Sequence, residues 1–491
     1  MSRVHELADR AAAAATALSR IPRAVRARAL VAAATALEAD REGLVGIALS
    51  ETGLLRERLD GELTRTAVQL RLFADVVASG AYLDVRLDEA DPGFALGARP
   101  DLRRMLVPLG PVLNFAAGNF PFAFSVAGGD TASALAAGAP VIVKAHPGHP
   151  LLSRRTAETV RSALGRAGLP EDTLQLVEGE DEGVELLRHP AIAAAAFTGS
   201  GRVGRMLFGI AAARPHPIPF FGELGSVNPV VATPRALRTD PDGFARGLVA
   251  SVSGSAGQLC TKPGFVFLPF GHGLGEAIAA AARTVPEHRM LSPRIADGFV
   301  ARREEVLEAA ERALVPGTVR SDVDGQTWVT PTFVVVSVPR LRERSDALLP
   351  EAFGPLAVIV EYEPDDDLVA LCREFFEGEL TATIHALPEE AEALGELIET
   401  LGSLAGRVLW GGWPTGVAAT PAMQHGGPWP STTSGGTSVG TAAVQRFLRG
   451  VVLQSFPAEA LPSELRDEAG VPAVRSVAGE SLGWGMRATA G

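Results

Sequence analysis

Lysine is nearly missing from this chain: of 45 basic side chains in 491 residues, only Lys144 and Lys262 are lysines and the other 43 are arginines. A composition rich in Ala, Arg, Gly and Pro has replaced lysine wherever either cation serves. A surviving lysine is therefore either a chance survivor or a position that wants a compact, flexible ammonium in place of a planar fork. Cysteine is as scarce. With Cys260 and Cys372 alone no disulfide framework exists, and a reducing, cytoplasmic compartment is expected. Basic charge is not in excess either: 57 acidic residues leave a net charge of −12, which argues against nucleic acid or an anionic membrane as the main partner. No apolar run approaches the ~18 residues of a membrane span. Glu6 and Asp9 interrupt the first apolar stretch, which speaks against a signal peptide. No internal repeat of fixed period is present.

What the chain does contain is an alternation. Hydrophobic residues at 47% and charged residues at 21% are ordinary for a globular protein, and the length suits about two to four domains. Residues 5–80 read as helices with apolar stripes, and 81–105 alternates apolar and polar residues around Asp91-Pro92-Gly93, a hairpin signal. Strand-like runs then alternate with helices predicted over 122–138, 151–167, 181–188 and 201–213. A second alternating region runs from 226 to 425, with a helix predicted over 241–258. Strands separated by helices of this length form βαβ units, so the fold class is α/β with parallel sheets. The stretch 414–440 is rich in Gly, Pro, Ser and Thr and reads as a long ordered loop, followed by a strand over 449–457.

Chemistry concentrates in a few segments. FTGSGRVG follows an apolar strand and opens a helix; Gly199, Gly201 and Gly204 make a G-x-G-x-x-G with Ser200 inside it. A helix N-terminus built this way suits a pyrophosphate. Glu223 lies 19 residues past Gly204, near the spacing of a ribose-binding acid, yet three βα units precede this turn where a conventional dinucleotide fold has none. Glu223 sits among glycines and apolar residues in FFGELGSVNP, an awkward place for an exposed carboxylate. Cys260 occupies the small-residue turn of GQLCTKPG, where a thiol can be exposed and activated. Asn119 follows the first strand of the parallel region in NFAAGNFPF, and Glu351 and Phe353 precede a strand in PEAFGP. Taken singly, each has an ordinary reading: a buried thiol, a loop-stabilising amide, a helix cap.

Together, in this order and over nearly the whole chain, these segments resemble the aldehyde dehydrogenase superfamily. The resemblance implies two Rossmann-like α/β domains plus a small β element. It divides the chain into a cofactor domain (1–83 and 106–225), a catalytic domain (226–425) and an oligomerisation element (84–105 with 426–491). It implies Cys260 as nucleophile, Glu223 as deacylating base with its pKa raised by apolar neighbours, and Asn119 as an oxyanion donor. Lys144, Gly199, Ser200, Gly204, Glu351 and Phe353 would hold the nicotinamide dinucleotide. Cys372 is expected to be a packing residue, Lys262 has no assigned role, and no metal is expected. The words GNFPFAFSVAGGDTASALAAGAPVIVKAHPGHP and HGGPWPSTTSGGTSVGTAAVQRFLRG look like one branch, the NADP-linked enzymes that include α-ketoglutaric semialdehyde (2,5-dioxovalerate) dehydrogenase and a bacterial long-chain fatty aldehyde dehydrogenase.

The implied function is NAD(P)-dependent oxidation of an aldehyde to a carboxylic acid, and three alternatives compete with it. An acylating or phospho-semialdehyde reductase of the same fold would lack the base Glu223. A non-catalytic descendant would have lost Cys260, Glu223 or Asn119. A conventional Rossmann alcohol dehydrogenase would carry its glycine motif in the first βα unit. NADP is the expected cofactor, with NAD accepted less well, because no acidic residue directly follows Lys144; Arg154 or Arg155 offers a second cation for a 2′-phosphate. Against this stands the acidic run EGEDEGVE over 178–185, which is also an ordinary helix start. The loop 432–440 lacks an arginine to clamp a distal carboxylate. An exposed hairpin beside an unpaired strand at 449–457 is an edge liability, so a homodimer or homotetramer is expected.

Overall fold

Short valine- and alanine-rich runs that are buried along nearly their whole length suit strands covered on both faces, and such strands pair in parallel. In the computed structural model, which describes residues 3–468 and 470–478 and the backbone of 487–488, five such runs form one sheet. Its order is Leu174–Val177, Val141–Lys144, Val112–Phe115, Ala194–Thr198, Phe220–Glu223, with every pair parallel. The chain starts in the middle, builds outward to one side, then returns and builds to the other. The strand order therefore reverses between Val112–Phe115 and Ala194–Thr198, and a crevice opens beyond their carboxyl ends, where ligands of α/β sheets bind. Helices Gly129–Ala137, Pro150–Arg166, Glu180–Arg188 and Gly201–Ala212 make the crossovers. The N-terminal helices cover both faces: the fourth and longest, Arg56–Ser79, packs on one through Leu63, Leu70 and Phe73 together with Leu30 and Leu37 of the second, and the first, Arg3–Leu18, packs on the other through Val4, Leu7 and Ala11.

The second region folds as a seven-stranded sheet ordered Arg312–Val315, Thr332–Ser337, Leu356–Tyr362, Phe265–Pro269, Val230–Ala232, Glu379–His385, Ala405–Trp410. All its pairs are parallel except the first. A third sheet gathers distant parts of the chain: the hairpin Val85–Asp88 and Leu102–Pro108, with Leu448–Gln454 beside its second strand and Ala473–Ser476 beside its first. Residues 469, 479–486 and 489–491 of the 426–491 segment lie outside the described residues. Among the described residues, no helix is long and apolar enough to cross a membrane.

Three local expectations change. The helix predicted over 122–138 begins only at Gly129, because the amides of Phe122 and Ala123 bind the Glu62 carboxylate at 2.8 and 2.9 Å and hold a loop. The helix predicted over 241–258 stops at Ser253. Ser255, Ala256 and Gly257 have φ of +52, +54 and +64°, a left-handed run that a right-handed helix cannot continue. The strand near 449–457 is not unpaired: from Leu448 to Gln454 it is matched residue by residue to Leu102–Pro108 of its own chain. The edge argument therefore narrows to the strand's outer side, where Val452 is half exposed.

Candidate active site

The loop that leaves Val112–Phe115 carries Asn119, and one face of the helix Arg56–Ser79 holds that loop. Arg58, Glu62, Arg65 and Gln69 recur at helical spacing, a charged and polar stripe aimed inward. Arg58 donates from Nη2 to the Asn119 carbonyl at 3.0 Å and from Nη1 to Glu62 at 2.9 Å. Glu62 is buried, and its remaining capacity goes to the Phe122 and Ala123 amides. Burial pushes its pKa up against the charge of Arg58 and those two amides.

Cys260 sits in the turn between the left-handed run and the strand Phe265–Pro269. Several groups fix that turn. Gly257 has φ +64°, and a Cβ there would collide with the Gly354 carbonyl, so the backbones of the 254–257 and 354–355 segments lie in direct contact. Asn228, itself left-handed at φ +48°, donates from Nδ2 to the Cys260 and Lys262 carbonyls at 2.8 and 3.0 Å. Its Oδ1 accepts from Ser226 and from Thr381. Asn119 Nδ2 reaches the same turn and donates to the Gln258 carbonyl at 3.1 Å. The structure thus brings Asn119 to the Cys260 loop from the other domain's sheet. Cys372 is fully buried in the helix Leu368–Phe375, and burial raises its thiol to about 12.

Glu223 ends the strand Phe220–Glu223 and lies beside Cys260 through a residue that the sequence reading left unassigned. His425 Nε2 stands 2.8 Å from Glu223 Oε1 and 3.6 Å from Cys260 Sγ. One ligating atom of each of the three side chains falls within 4.8 Å of the others. Ser438 Oγ donates to the second Glu223 oxygen at 2.5 Å. The 425–440 loop reaches the site by docking on that strand: Leu224 N donates to the Ser431 carbonyl at 2.7 Å, and Thr433 Oγ1 donates to the Phe220 carbonyl at 2.6 Å. Burial alone would push Glu223 up, as expected from its apolar neighbours. The charge of His425, 2.8 Å away, and the hydrogen bond from Ser438 outweigh it, so the carboxyl lies below its ordinary value. Burial likewise pushes His425 down, and the Glu223 charge with the Cys260 contact reverses this, to about 10. The expectation of a raised Glu223 is therefore corrected: a buried cation faces it.

The glycine turn stands at the other strand of the crevice. Gly199 N donates to the Glu223 carbonyl at 3.0 Å, tying the turn to the strand Phe220–Glu223. Gly204 packs where a Cβ would collide with Leu224, so the helix Gly201–Ala212 can lie close on the sheet. Ser200 precedes that helix in extended conformation and is exposed, and no side chain caps the first amides; they remain open to an anion. Lys144 ends the strand Val141–Lys144, is 9% exposed, and its ammonium has no hydrogen bond among the described residues. Burial lowers its pKa, opposed by Glu180 and Glu182 and assisted by Arg294. An open helix end and an unspent ammonium fit a dinucleotide's phosphate and ribose.

Arg154 and Arg155 do not supply a second cation. Arg154 binds Glu178 through Nε and Nη2, each at 2.6 Å, and Arg155 binds Asp40 at 2.7 and 3.1 Å. The acidic run is the first turn of the helix Glu180–Arg188, with Glu180 paired to Arg294 at 2.9 Å. Glu351 packs against Gly225, next to the glycine turn, and Phe353 follows in the same partly buried segment. Burial raises Glu351 to about 7, opposed by the charge of Lys262; Lys262 is itself lowered to about 8 by burial and donates to the Leu356 carbonyl at 2.6 Å. Lys262 thereby gains a place: a buried counter-charge for Glu351.

His425, Asn228, Arg65 and the Arg58–Glu62 pair are the residues that sequence reasoning missed. The stripe at 58, 62, 65 and 69 is legible as polar positions on a helix face that should be apolar. His425 carries no such local signal.

Comparison with known proteins gives one consistent answer. The model of the aldehyde dehydrogenase family matches residues 1–449. The chain is 42% identical over 452 residues to α-ketoglutaric semialdehyde dehydrogenase 2 of Azospirillum brasilense, covering 91% of this chain and 85% of that protein. It is 39% identical over 433 residues to α-ketoglutaric semialdehyde dehydrogenase of Acinetobacter baylyi, covering 86% and 80%. Among solved structures, a variant of proline utilization A from Bradyrhizobium japonicum superposes with a TM-score of 0.78 at 25% identity. That match covers 92% of this chain, which spans 45% of the larger protein's length.

Proposed function

The chain belongs to the aldehyde dehydrogenase family, and on that premise we propose that it oxidises an aldehyde to the carboxylic acid through a covalent adduct on Cys260. The observation that carries this reading is the meeting of Cys260, His425 and Glu223 within 4.8 Å at the mouth of the sheet crevice. Cys260 as thiolate attacks the aldehyde carbon, steadied by the His425 ring, and the resulting oxyanion takes hydrogen bonds from the Cys260 amide and from Asn119. Asn119 Nδ2 spends one hydrogen on Gln258 and has a second to offer. When bound, the nicotinamide dinucleotide supplies the hydride acceptor. Water then opens the Cys260 thioester, and its proton passes to Glu223. The presence of this base beside the thiol favours hydrolysis over acyl transfer to another acceptor.

Lys144, the Gly199–Ser200–Gly204 turn, Glu351 and Phe353 hold the dinucleotide in this reading. NADP⁺ is the preferred form, with NAD⁺ accepted less well: Ala145, His146, Pro147 and Gly148 follow Lys144 without an acid, while Arg294, whose charge reaches Lys144, is itself paired with Glu180. Glu180 and Glu182 oppose that choice. A kcat/KM ratio of tenfold or more in favour of NAD⁺ with one aldehyde would overturn it. The substrate is α-ketoglutaric semialdehyde, the compound for which both relatives are named. A homodimer or dimer of dimers in a reducing, cytoplasmic setting completes the proposal; a monomeric mass by light scattering at micromolar concentration contradicts it. Absorbance of reduced nicotinamide on mixing protein, NADP⁺ and this semialdehyde tests the reaction. Absence of reduction with every aldehyde and both dinucleotides would refute it.

A further inference from the structure

Arg65 is the one charged member of the inward stripe on Arg56–Ser79 that has no hydrogen-bond partner among the described residues. Its Nε and Nη2 are buried and make no hydrogen bond. The adjacent acid, Glu62, is already engaged by Arg58 and by two backbone amides. The Arg65 guanidinium lies over the Phe124 ring, 5.3 Å from its centroid, and the Phe124 ring is 6.1 Å from the His425 ring that touches Cys260. Its charge is felt at both Cys260 and Glu223. Arg407, another cation whose charge reaches Cys260, donates through both Nη atoms to the carbonyls of Gly416 and Pro414 and is held by that loop.

A guanidinium is always charged and offers a fork matched to a carboxylate. Leaving two of its buried donors unspent costs free energy that an apolar side chain of similar volume would avoid. The Phe124 ring beneath it belongs to an apolar cluster with Ala117, Ala123 and Val439, against which Phe120, Val417 and Met423 pack. An apolar cluster with one unspent cation matches a short methylene chain that ends in an anion.

Resting on the reading above, we propose that Arg65 binds the distal carboxylate of the substrate and so selects aldehydes that carry a carboxylate a few carbons away, the semialdehydes of short dicarboxylic acids. The arginine missing from the 432–440 loop is supplied from a helix far upstream in the sequence. The role is one of specificity, and the chemistry stays with Cys260.

Two substrates of one length decide it: glutaric semialdehyde and pentanal, which differ by the carboxylate alone. The wild-type enzyme prefers the semialdehyde in kcat/KM. In Arg65→Gln that preference falls about 10- to 100-fold, the range expected for losing a charge-assisted pair, mostly as a rise in KM for the semialdehyde. Arg65→Lys restores part of it. In a second arm, glutarate slows alkylation of Cys260 by iodoacetamide in the wild type and fails to do so in Arg65→Gln. A preference that does not change while both substrates decline together, or a wild type that glutarate does not protect, overturns the proposal and assigns Arg65 to steadying Cys260 or the fold. A protein that oxidises no aldehyde refutes the aldehyde-oxidation reading, while the glutarate arm still decides on Arg65.

Discussion

His425 and Glu223 face each other across 2.8 Å in a site from which both are almost wholly excluded from water. The pairing turns what an isolated glutamate in this apolar setting would be, a protonated acid, into a carboxylate beside a cation, and it places that cation against the nucleophile. In the proposed reaction the same contact sets a cation 3.6 Å from the attacking sulfur of Cys260 and keeps Glu223 able to accept a proton.

The pair has a stability signature. His425 is raised from 6.5 to about 10, so its contribution is complete below pH ~6.5 and fades as pH rises towards 10. Glu223 is lowered from 4.5, so its contribution is present above about pH 4.5 and lost as the pH falls through its lower folded value. Urea unfolding of wild type and His425→Gln at pH 6, 8 and 10 should show a gap that is widest at pH 6. A gap independent of pH contradicts the charged pair.

Activity should follow the same contact. His425→Gln removes the group between thiol and base and should lower kcat about 100-fold, the range of a positioned proton-transfer group. A fall in kcat below tenfold would leave His425 with a packing role.

The two cysteines should separate cleanly. Cys260→Ser abolishes aldehyde oxidation, and Cys372→Ser keeps most of it while losing about 1–3 kcal/mol of stability for a hydroxyl buried without a partner. Iodoacetamide should label Cys260 in the folded protein and spare Cys372, whose thiol is raised to about 12. Loss of turnover in Cys372→Ser alone would reverse the assignment.

Glu351 and Lys262 predict how dinucleotide binding depends on pH. A carboxyl raised to about 7 gains its ribose-accepting charge as pH passes that value, so KM for the dinucleotide should fall between pH 6 and 8. Lys262→Met removes the charge that holds Glu351 down and should shift that fall to higher pH. A KM profile that does not move in Lys262→Met would show that the two groups are uncoupled.

Much of this was legible in the residues themselves, for physical reasons that can be named. The parallel sheets follow from alternating strands and helices. The positions of Asn119 and the Gly199–Gly204 turn follow because each motif abuts a strand's carboxyl end, where the switch in strand order opens the crevice. Lys144 stood out because the rest of the chain had surrendered its lysines. What stayed hidden depended on tertiary contacts. His425 lies in a glycine- and serine-rich loop with no periodicity, and only the docking of that loop on Phe220–Glu223 brings it to the thiol. The helix 241–258 was overextended because Ser255 and Ala256 carry no local mark of a left-handed turn. Arg154 and Arg155 looked available because their partners, Glu178 and Asp40, stand 24 and 115 residues away.

The covalent account with Glu223 as base is tested most directly by mixing Glu223→Gln with α-ketoglutaric semialdehyde and NADP⁺ and following reduced nicotinamide and intact-protein mass together. The account predicts a burst of about one equivalent of reduced nicotinamide per active site, a slow steady state, and an acyl group accumulating on the peptide that holds Cys260. A steady-state rate equal to that of the wild type, with no acyl group on Cys260, would contradict it.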